Sequence, residues 1–199
     1  PSAISAMSNT LQPSSAYRVL GVQTAIARKV MMDDRAILTA IHKTPVTGAV
    51  AVKRLGLEGD EQADLSVHGG LEKAIYAYPS EHYPFWETHS QRNLPFGSMG
   101  ENLTLAGLLE TDVWVGDILR FPHCVLSVSQ PREPCYKFNH ALGFNTAVKA
   151  MAQSGFCGFY LCVEEIGTIA AGESFELIAG SRRERIPTRF AAKLFKHLR

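Results

Sequence analysis

The chain has no apolar run near the roughly 20 residues that a membrane-spanning helix needs, so no membrane partner is expected. It has no strong excess of either charge. Its 20 basic and 19 acidic side chains leave a formal net of +1, too little for the basic surface with which a nucleic-acid polymer is bound. Several motifs are missing as well. There is no GxGxxG after a strand, no GxxxxGK[ST], no GxSxG and no HExxH, and no His and Cys pairs at zinc-finger spacing. The commonest nucleotide-binding, esterase and zinc-protease readings therefore have no support. Only four cysteines occur in 199 residues: Cys124, Cys135, Cys157 and Cys162. That is too sparse for a disulfide scaffold. They read as reduced thiols, and the expected location is the cytoplasm. Charged residues make up 20% and hydrophobic ones 46%, which excludes wholesale disorder.

What is present fits one domain with a core of its own. Residues 1–16, PSAISAMSNTLQPSSA, form a Ser/Ala/Pro-rich stretch read as a flexible leader and not as a signal peptide. The charge is uneven. Residues 182–199 hold seven basic side chains against Glu184 alone, a net of +6, which leaves −5 for the rest. Such a tail is either a solvated helix face or a segment that docks on a partner or an acidic surface.

Short β-branched and apolar segments recur along the chain, punctuated by Gly, Pro and Asp. Residues 17–28 read as a strand, Asp33–Asp34 as a turn, and residues 74–78, 124–130 and 159–165 as further strands. Ser80 is placed to cap a helix that holds Pro84 early, and Asn145 or Thr146 one that Gly155 ends. Cys157 and Cys162, five apart in one strand, would point to opposite faces. Tyr76, Tyr78, Tyr83, Phe85 and Trp86 read as core. Pro187 opens a last helix with Ile186, Phe190, Leu194 and Leu198 as its apolar stripe. Many short strands with few helices give an α+β, β-rich class, a barrel or a sandwich.

Three polar segments carry candidate chemistry. The first runs from Gly59 to Lys73 and contains Asp60, Asp64, His68, Gly69 and Gly70. The glycine pair lets the backbone approach a ligand, with His68 and Lys73 as donors to an anionic or heterocyclic group; the alternative is a solvated turn. The second is Gln130–Lys137, QPREPCYK. Its two prolines restrict the backbone, and Arg132 and Lys137 flank Cys135 in a way that favours a thiolate, a nucleophile and a soft-metal ligand. The alternative is a buried structural cysteine with Arg132 paired to Glu133. In the third, Gly100–Leu103, Glu101 and Asn102 either orient a ligand or cap a turn.

In this order, the segments GDEQADLSVHGGLEKAIYAYPSEHYPFW, FGSMGENLTLAG, VGDILRF and LSVSQPREPCYKF resemble the MOSC-domain proteins, and among them the YiiM-like branch. The resemblance covers about residues 17–180. It implies a MOSC-type β-barrel with a few peripheral helices over 17–180, followed by a basic C-terminal helix over 181–199. Members of the branch usually continue into a three-helix domain, so that appendage is expected to be truncated, replaced or absent. The resemblance also implies binding of the molybdenum cofactor (molybdopterin), with Cys135 as a thiolate ligand to the metal. The implied activity is reduction of N-hydroxylated compounds, such as hydroxylaminopurine-type base analogues, to amines in detoxification, with electrons from a separate reductase. Cys135, His68 and Asp60 are the expected catalytic residues. Asp64, Gly69, Gly70, Lys73, Glu101, Asn102, Arg132 and Lys137 are the expected cofactor contacts. Pyridoxal phosphate binding attaches only to the wider superfamily. The alternative is a non-catalytic cofactor carrier or a sulfur relay through a Cys135 persulfide; a Cys135 hydrolase using His68 or His140 has no local signature.

Overall fold

Among the described residues the first strand pairs with the last, and that pairing closes the sheet. The computed structural model describes residues 16–63 and 69–196. The expected leader, residues 1–16, lies outside the described residues apart from Ala16. The strands are β1 (Tyr17–Thr24), β2 (Arg28–Met32), β3 (Arg35–Thr39), β4 (Thr44–Pro45), β5 (Val50–Lys53), β6 (Gly56–Leu57), β7 (Ile75–Pro79), β8 (Leu103–Ala106), β9 (Ile118–Arg120), β10 (Val125–Pro131), β11 (Phe159–Glu165), β12 (Gly167–Ile169) and β13 (Ser174–Ile178). The helices are α1 (Tyr83–Ser90), α2 (Tyr136–Leu142), α3 (Ala147–Ser154) and α4 (Ile186–Lys196).

Seven strands form a closed barrel in the order β1-β13-β9-β10-β11-β7-β8, with β8 returning to β1. All its pairings are antiparallel except β7–β8, where Ala77 faces Leu103. Closure removes the open edges that a seven-stranded sheet would otherwise present. The inward positions are the apolar ones. Val19, Leu105, Leu119, Leu126, Leu161 and Phe175 are buried almost completely. In β7 every residue is buried. Within it, Tyr78 donates to the carbonyl of Phe156 at 2.9 Å and accepts a hydrogen bond from the Trp86 indole of α1. The β-barrel with peripheral helices is therefore present, and the core reading of Tyr76, Tyr78, Tyr83 and Trp86 is borne out.

Local signals explain most boundaries. Asp33 and Asp34 both adopt positive φ, 47° and 61°, the arrangement that a tight β2–β3 hairpin requires. Gly155 ends α3 in the left-handed conformation, as expected. Some expectations need correction. The strand read over 17–28 is two elements, because the chain leaves the barrel after Thr24 and starts the β2–β3 hairpin at Arg28. Ser80 does not cap a helix. It begins a one-turn 3₁₀ segment, and α1 starts at Tyr83 with no side-chain cap. Cys157 lies ahead of β11, so only Cys162 belongs to that strand. Helix α2, directly after Cys135, was not expected; its short span lies in a sequence dominated by the two prolines before it.

The basic tail is not simply a solvated face. Arg182 pairs with the buried Asp117 at 3.3 Å, and Arg185 lies over the Trp114 ring at 4.7 Å. Ile186 and Phe190 are buried, and α4 packs on β10. The tail thus packs on the barrel, while Arg183 and Lys196 stay exposed. Leu198 lies outside the described residues.

Phe175 of β13 stacks on Tyr17 of β1 at 5.5 Å and lies 4.8 Å from Phe121, so it sits at the closing seam. Phe175→Ala is expected to destabilise the chain by about 3–5 kcal/mol. The check is a chemical-denaturation midpoint that falls while the slope holds. A loss below about 1 kcal/mol would mean that the seam does not depend on this ring.

Candidate functional site

At one mouth of the barrel, segments far apart in sequence enclose a cavity of about 100 Å³ that opens to solvent. Its wall includes Thr39–Ile41 at the end of β3, Asp60–Ala63 after β6, Asn102 before β8 and the loop that follows β10. Six of the residues expected from the sequence line it: Asp60, Lys73, Asn102, Arg132, Cys135 and Lys137.

Arg132 is the deepest cation. It is 6% exposed, and its guanidinium lies 4.9 Å from the ring centres of both Tyr76 and Phe138. A terminal nitrogen donates to the carbonyl of Met99. Burial opposes its charge, but Tyr76, Tyr160 and Cys135 outweigh that and hold its pKa above the ordinary arginine value. Arg132 does not pair with Glu133; it turns inward, while Glu133 turns towards α4.

Cys135 is the residue that precedes the first turn of α2, half-buried, with its carbonyl accepting from the Phe138 N–H at 2.8 Å. Pro131 and Pro134 bracket the loop that delivers it, and neither can donate a backbone hydrogen bond. None of the four cysteines is in a disulfide. Burial pushes the Cys124 thiol up to about 12 and raises those of Cys157 and Cys162 as well.

On the opposite wall, Asp60 is fixed from three directions. Lys43 Nζ donates to its Oδ1 at 2.5 Å, the Ala25 N–H to the same oxygen at 2.8 Å, and Asn102 Nδ2 to Oδ2 at 2.9 Å. Lys43 is itself buried, and desolvation lowers its pKa against the pull of Asp60. Asn102 also accepts from the Tyr76 N–H at 3.0 Å and donates to the Gln23 carbonyl at 3.2 Å, which joins β1 to β7. Lys73 ends the one-turn 3₁₀ segment Leu71–Lys73, with Nζ 5.7 Å from the Tyr160 ring centre. Burial and the neighbouring Lys193 lower its pKa. Lys137 Nζ donates to the Leu38 carbonyl at 3.2 Å, which ties α2 to the β2–β3 hairpin.

Glu101 lies behind the wall, not on it. It is completely buried, and Oε1 accepts from Tyr83, from Gly97 N–H at 2.8 Å and from Thr104 Oγ1 at 2.8 Å. Oε2 accepts from the Met99 N–H at 3.1 Å. Of its two expected roles, orienting a ligand or capping a turn, it performs the second. It shapes the Gly97–Gly100 turn that presents the Met99 carbonyl to Arg132. Gly100 has to be glycine there: φ is +81°, and a Cβ would sit 2.9 Å from Ile41. Burial raises the Glu101 pKa, with the hydrogen bonds from Tyr83, Gly97 and Thr104 acting in the other direction.

Gly69 and Gly70 stand outside the cavity lining. Gly70, at φ +92° and ψ 178°, takes a conformation open essentially to glycine alone and starts the turn that presents Lys73. Asp64 and His68 lie outside the described residues. The sequence reading missed Lys43 and Tyr160 as wall residues and took Tyr76 only as core. A lysine next to a histidine carries no motif, and an aromatic that serves both core and wall looks like any core aromatic.

The MOSC domain profile matches residues 64–176. The chain belongs to the MOSC-domain family. It is 42% identical over 182 residues to the uncharacterised protein YflK of Bacillus subtilis, which covers 91% of this chain and 81% of YflK. It is 39% identical over 163 residues to the protein YiiM of Escherichia coli, 80% of this chain and 72% of YiiM. The crystal structure of YiiM from Geobacillus stearothermophilus superposes with a TM-score of 0.74 at 32% identity, covering 90% of this MOSC chain and 85% of that one. A fungal protein from Gibberella moniliformis named "Reductase" is 34% identical over 146 residues, 71% of this chain and only 26% of its own length.

No helix among the described residues is long and apolar enough to cross a membrane. The wall offers Lys43, Lys73, Arg132 and Lys137 against Asp60 and Glu61, a cationic excess with one thiol. Among the described residues no three His, Cys, Asp or Glu side chains converge on a metal position.

The Glu101→Gln change replaces one acceptor oxygen by a donor that faces an N–H. It is expected to cost about 1–3 kcal/mol of stability at neutral pH. Denaturant titration measures this; a change within about 0.5 kcal/mol would remove Glu101 as the support of the turn.

Proposed function

We propose that this MOSC protein binds the molybdenum cofactor through Cys135 and reduces N-hydroxylated compounds, hydroxylaminopurine-type bases among them, to amines. The observation that carries this reading is the convergence of Cys135, Arg132, Lys73, Lys43 and Lys137 on one cavity. A pyranopterin dithiolene with a terminal phosphate is an anion with two sulfur donors. The cations suit its charge, and the thiol suits its metal. The cofactor supplies two-electron redox chemistry when bound. The residues supply binding and electrostatics: Arg132 holds positive charge beside Cys135 at any physiological pH, and Lys73 and Lys137 stand at the rim for phosphate or substrate.

Each N–O bond reduced consumes two electrons and two protons and releases one water. The electrons come from a separate reductase. Proton delivery is assigned to His68, Asp64 and Asp60. Asp60 is in the wall, held by Lys43 and Asn102, while His68 and Asp64 enter from the sequence motif alone. The relative named as a reductase supports an oxidoreductase class. Four cysteines without a disulfide support a cytoplasmic setting.

The test is protein made in a host that assembles the cofactor, measured for molybdenum by mass spectrometry and for hydroxylaminopurine reduction with a chemical electron donor. Wild type is expected to hold molybdenum and turn over. Changes around a metal ligand cost about 10–100-fold, so Cys135→Ala is expected to lose at least about 100-fold. Molybdenum-free wild type, or equal turnover in the variant, overturns the reading. Cyanide-labile sulfur on Cys135 without turnover would point to the sulfur-relay alternative.

A further inference from the structure

Both polar loops that form the cavity carry an acidic residue next to a wall cation. Glu72 precedes Lys73, and Glu133 lies between Arg132 and Cys135. Both are connected to one lysine of the C-terminal helix. Lys193 Nζ donates to Glu133 Oε1 at 2.5 Å and to Gln130 Oε1 at 2.7 Å. Gln130, the last residue but one of β10, uses its amide nitrogen to reach Glu72 Oε2 at 3.4 Å, and Ser129 donates to the Glu72 carbonyl. The helix face that carries Lys193 is anchored independently. Ile186 and Phe190 are buried, and Arg189 reaches the Ser129 carbonyl at 3.4 Å. Lys193 is only 19% exposed at its side chain and Glu133 37%, so the pair is partly shielded from solvent.

We propose that Lys193 is a positioning residue, and that α4 is a clamp which holds the Cys135 loop and the Lys73 turn in register across the mouth of the barrel. The loop needs an external tie. Pro131 and Pro134 remove two backbone donors, so less of its shape is held by backbone hydrogen bonds and more by side chains. Lys193 reaches the loop on one side of Arg132 and the end of β10 on the other, so its two bonds fix the short stretch that sets where the Cys135 sulfur sits. A lysine Nζ with three donors can serve Gln130 and Glu133 together. The clamp itself rests on the geometry alone. Its consequence for cofactor retention rests on the reading of Cys135 as metal ligand.

The experiment uses the full chain with Lys193→Met, which keeps most of the apolar stem, and Lys193→Arg. The first measurement is amide hydrogen exchange of a peptide containing Arg132–Phe138 in cofactor-free protein. The second is the rate of molybdenum loss from loaded protein. In the methionine variant exchange of this peptide is expected to quicken about three- to tenfold, the scale of one partly exposed ion pair with a charge-assisted hydrogen bond. Exchange in β1 and β13 should stay unchanged, molybdenum loss should quicken to a similar degree, and arginine should restore both. Wild-type exchange in Lys193→Met overturns the clamp. So does equal quickening in β13, which would mark a general loss of structure, or failure of arginine to restore the peptide. If no form holds molybdenum, the exchange result still decides the clamp, and only the cofactor reading falls.

Discussion

Arg132 takes a permanent positive charge into a place with almost no access to solvent, and much of the site is arranged around keeping it there. Arginine cannot shed its proton at any physiological pH, so the protein has to satisfy the charge by position. It does so with two aromatic faces and one carbonyl. That carbonyl, of Met99, is held by a turn that Glu101 organises, and Glu101 is held by Tyr83, Thr104 and two backbone donors. The core under the barrel mouth and the electrostatics of the cavity are thus one connected system. A buried carboxyl stands one layer behind a buried cation, with a turn between them.

This layering explains why Glu101 and Arg132 look alike in the sequence and differ in the structure. Both are polar residues in motif segments. Arg132 reaches the cavity, whereas Glu101 consumes its hydrogen-bonding capacity inside the wall. Asp60 is intermediate: it lines the cavity while three donors already occupy it. Motif membership marks residues that the architecture needs and does not separate those that face a ligand from those that hold the ones that do.

The β-rich class, the hairpin at Asp33–Asp34 and the apolar stripe of α4 were legible because each depends on local chemistry: alternation, turn residues or a four-residue spacing. The grouping of Cys135, Lys73, Asn102 and Arg132 was legible only through resemblance, since the members are up to 62 residues apart between Lys73 and Cys135. Lys43 and Tyr160 were not legible at all. Their roles arise from which strands become neighbours in the closed barrel, and no local pattern encodes that. The near-neutral total charge had a similar limit. It concealed an acidic body and a basic tail, and the structure shows two of the tail's cations turned onto carboxylates of the body: Arg182 on Asp117, Lys193 on Glu133.

The barrel closes by joining β1 to β13, and this orders events in time. On a ribosome the N-terminal strand emerges first and waits for a partner some 150 residues later. Until that partner arrives, β1 can pair with β8, but the ring stays open. Such sequence-distant pairing slows folding. Closure of the barrel is therefore a late event, although every residue lining the cavity, from Thr39 to Tyr160, has been made before β13 begins.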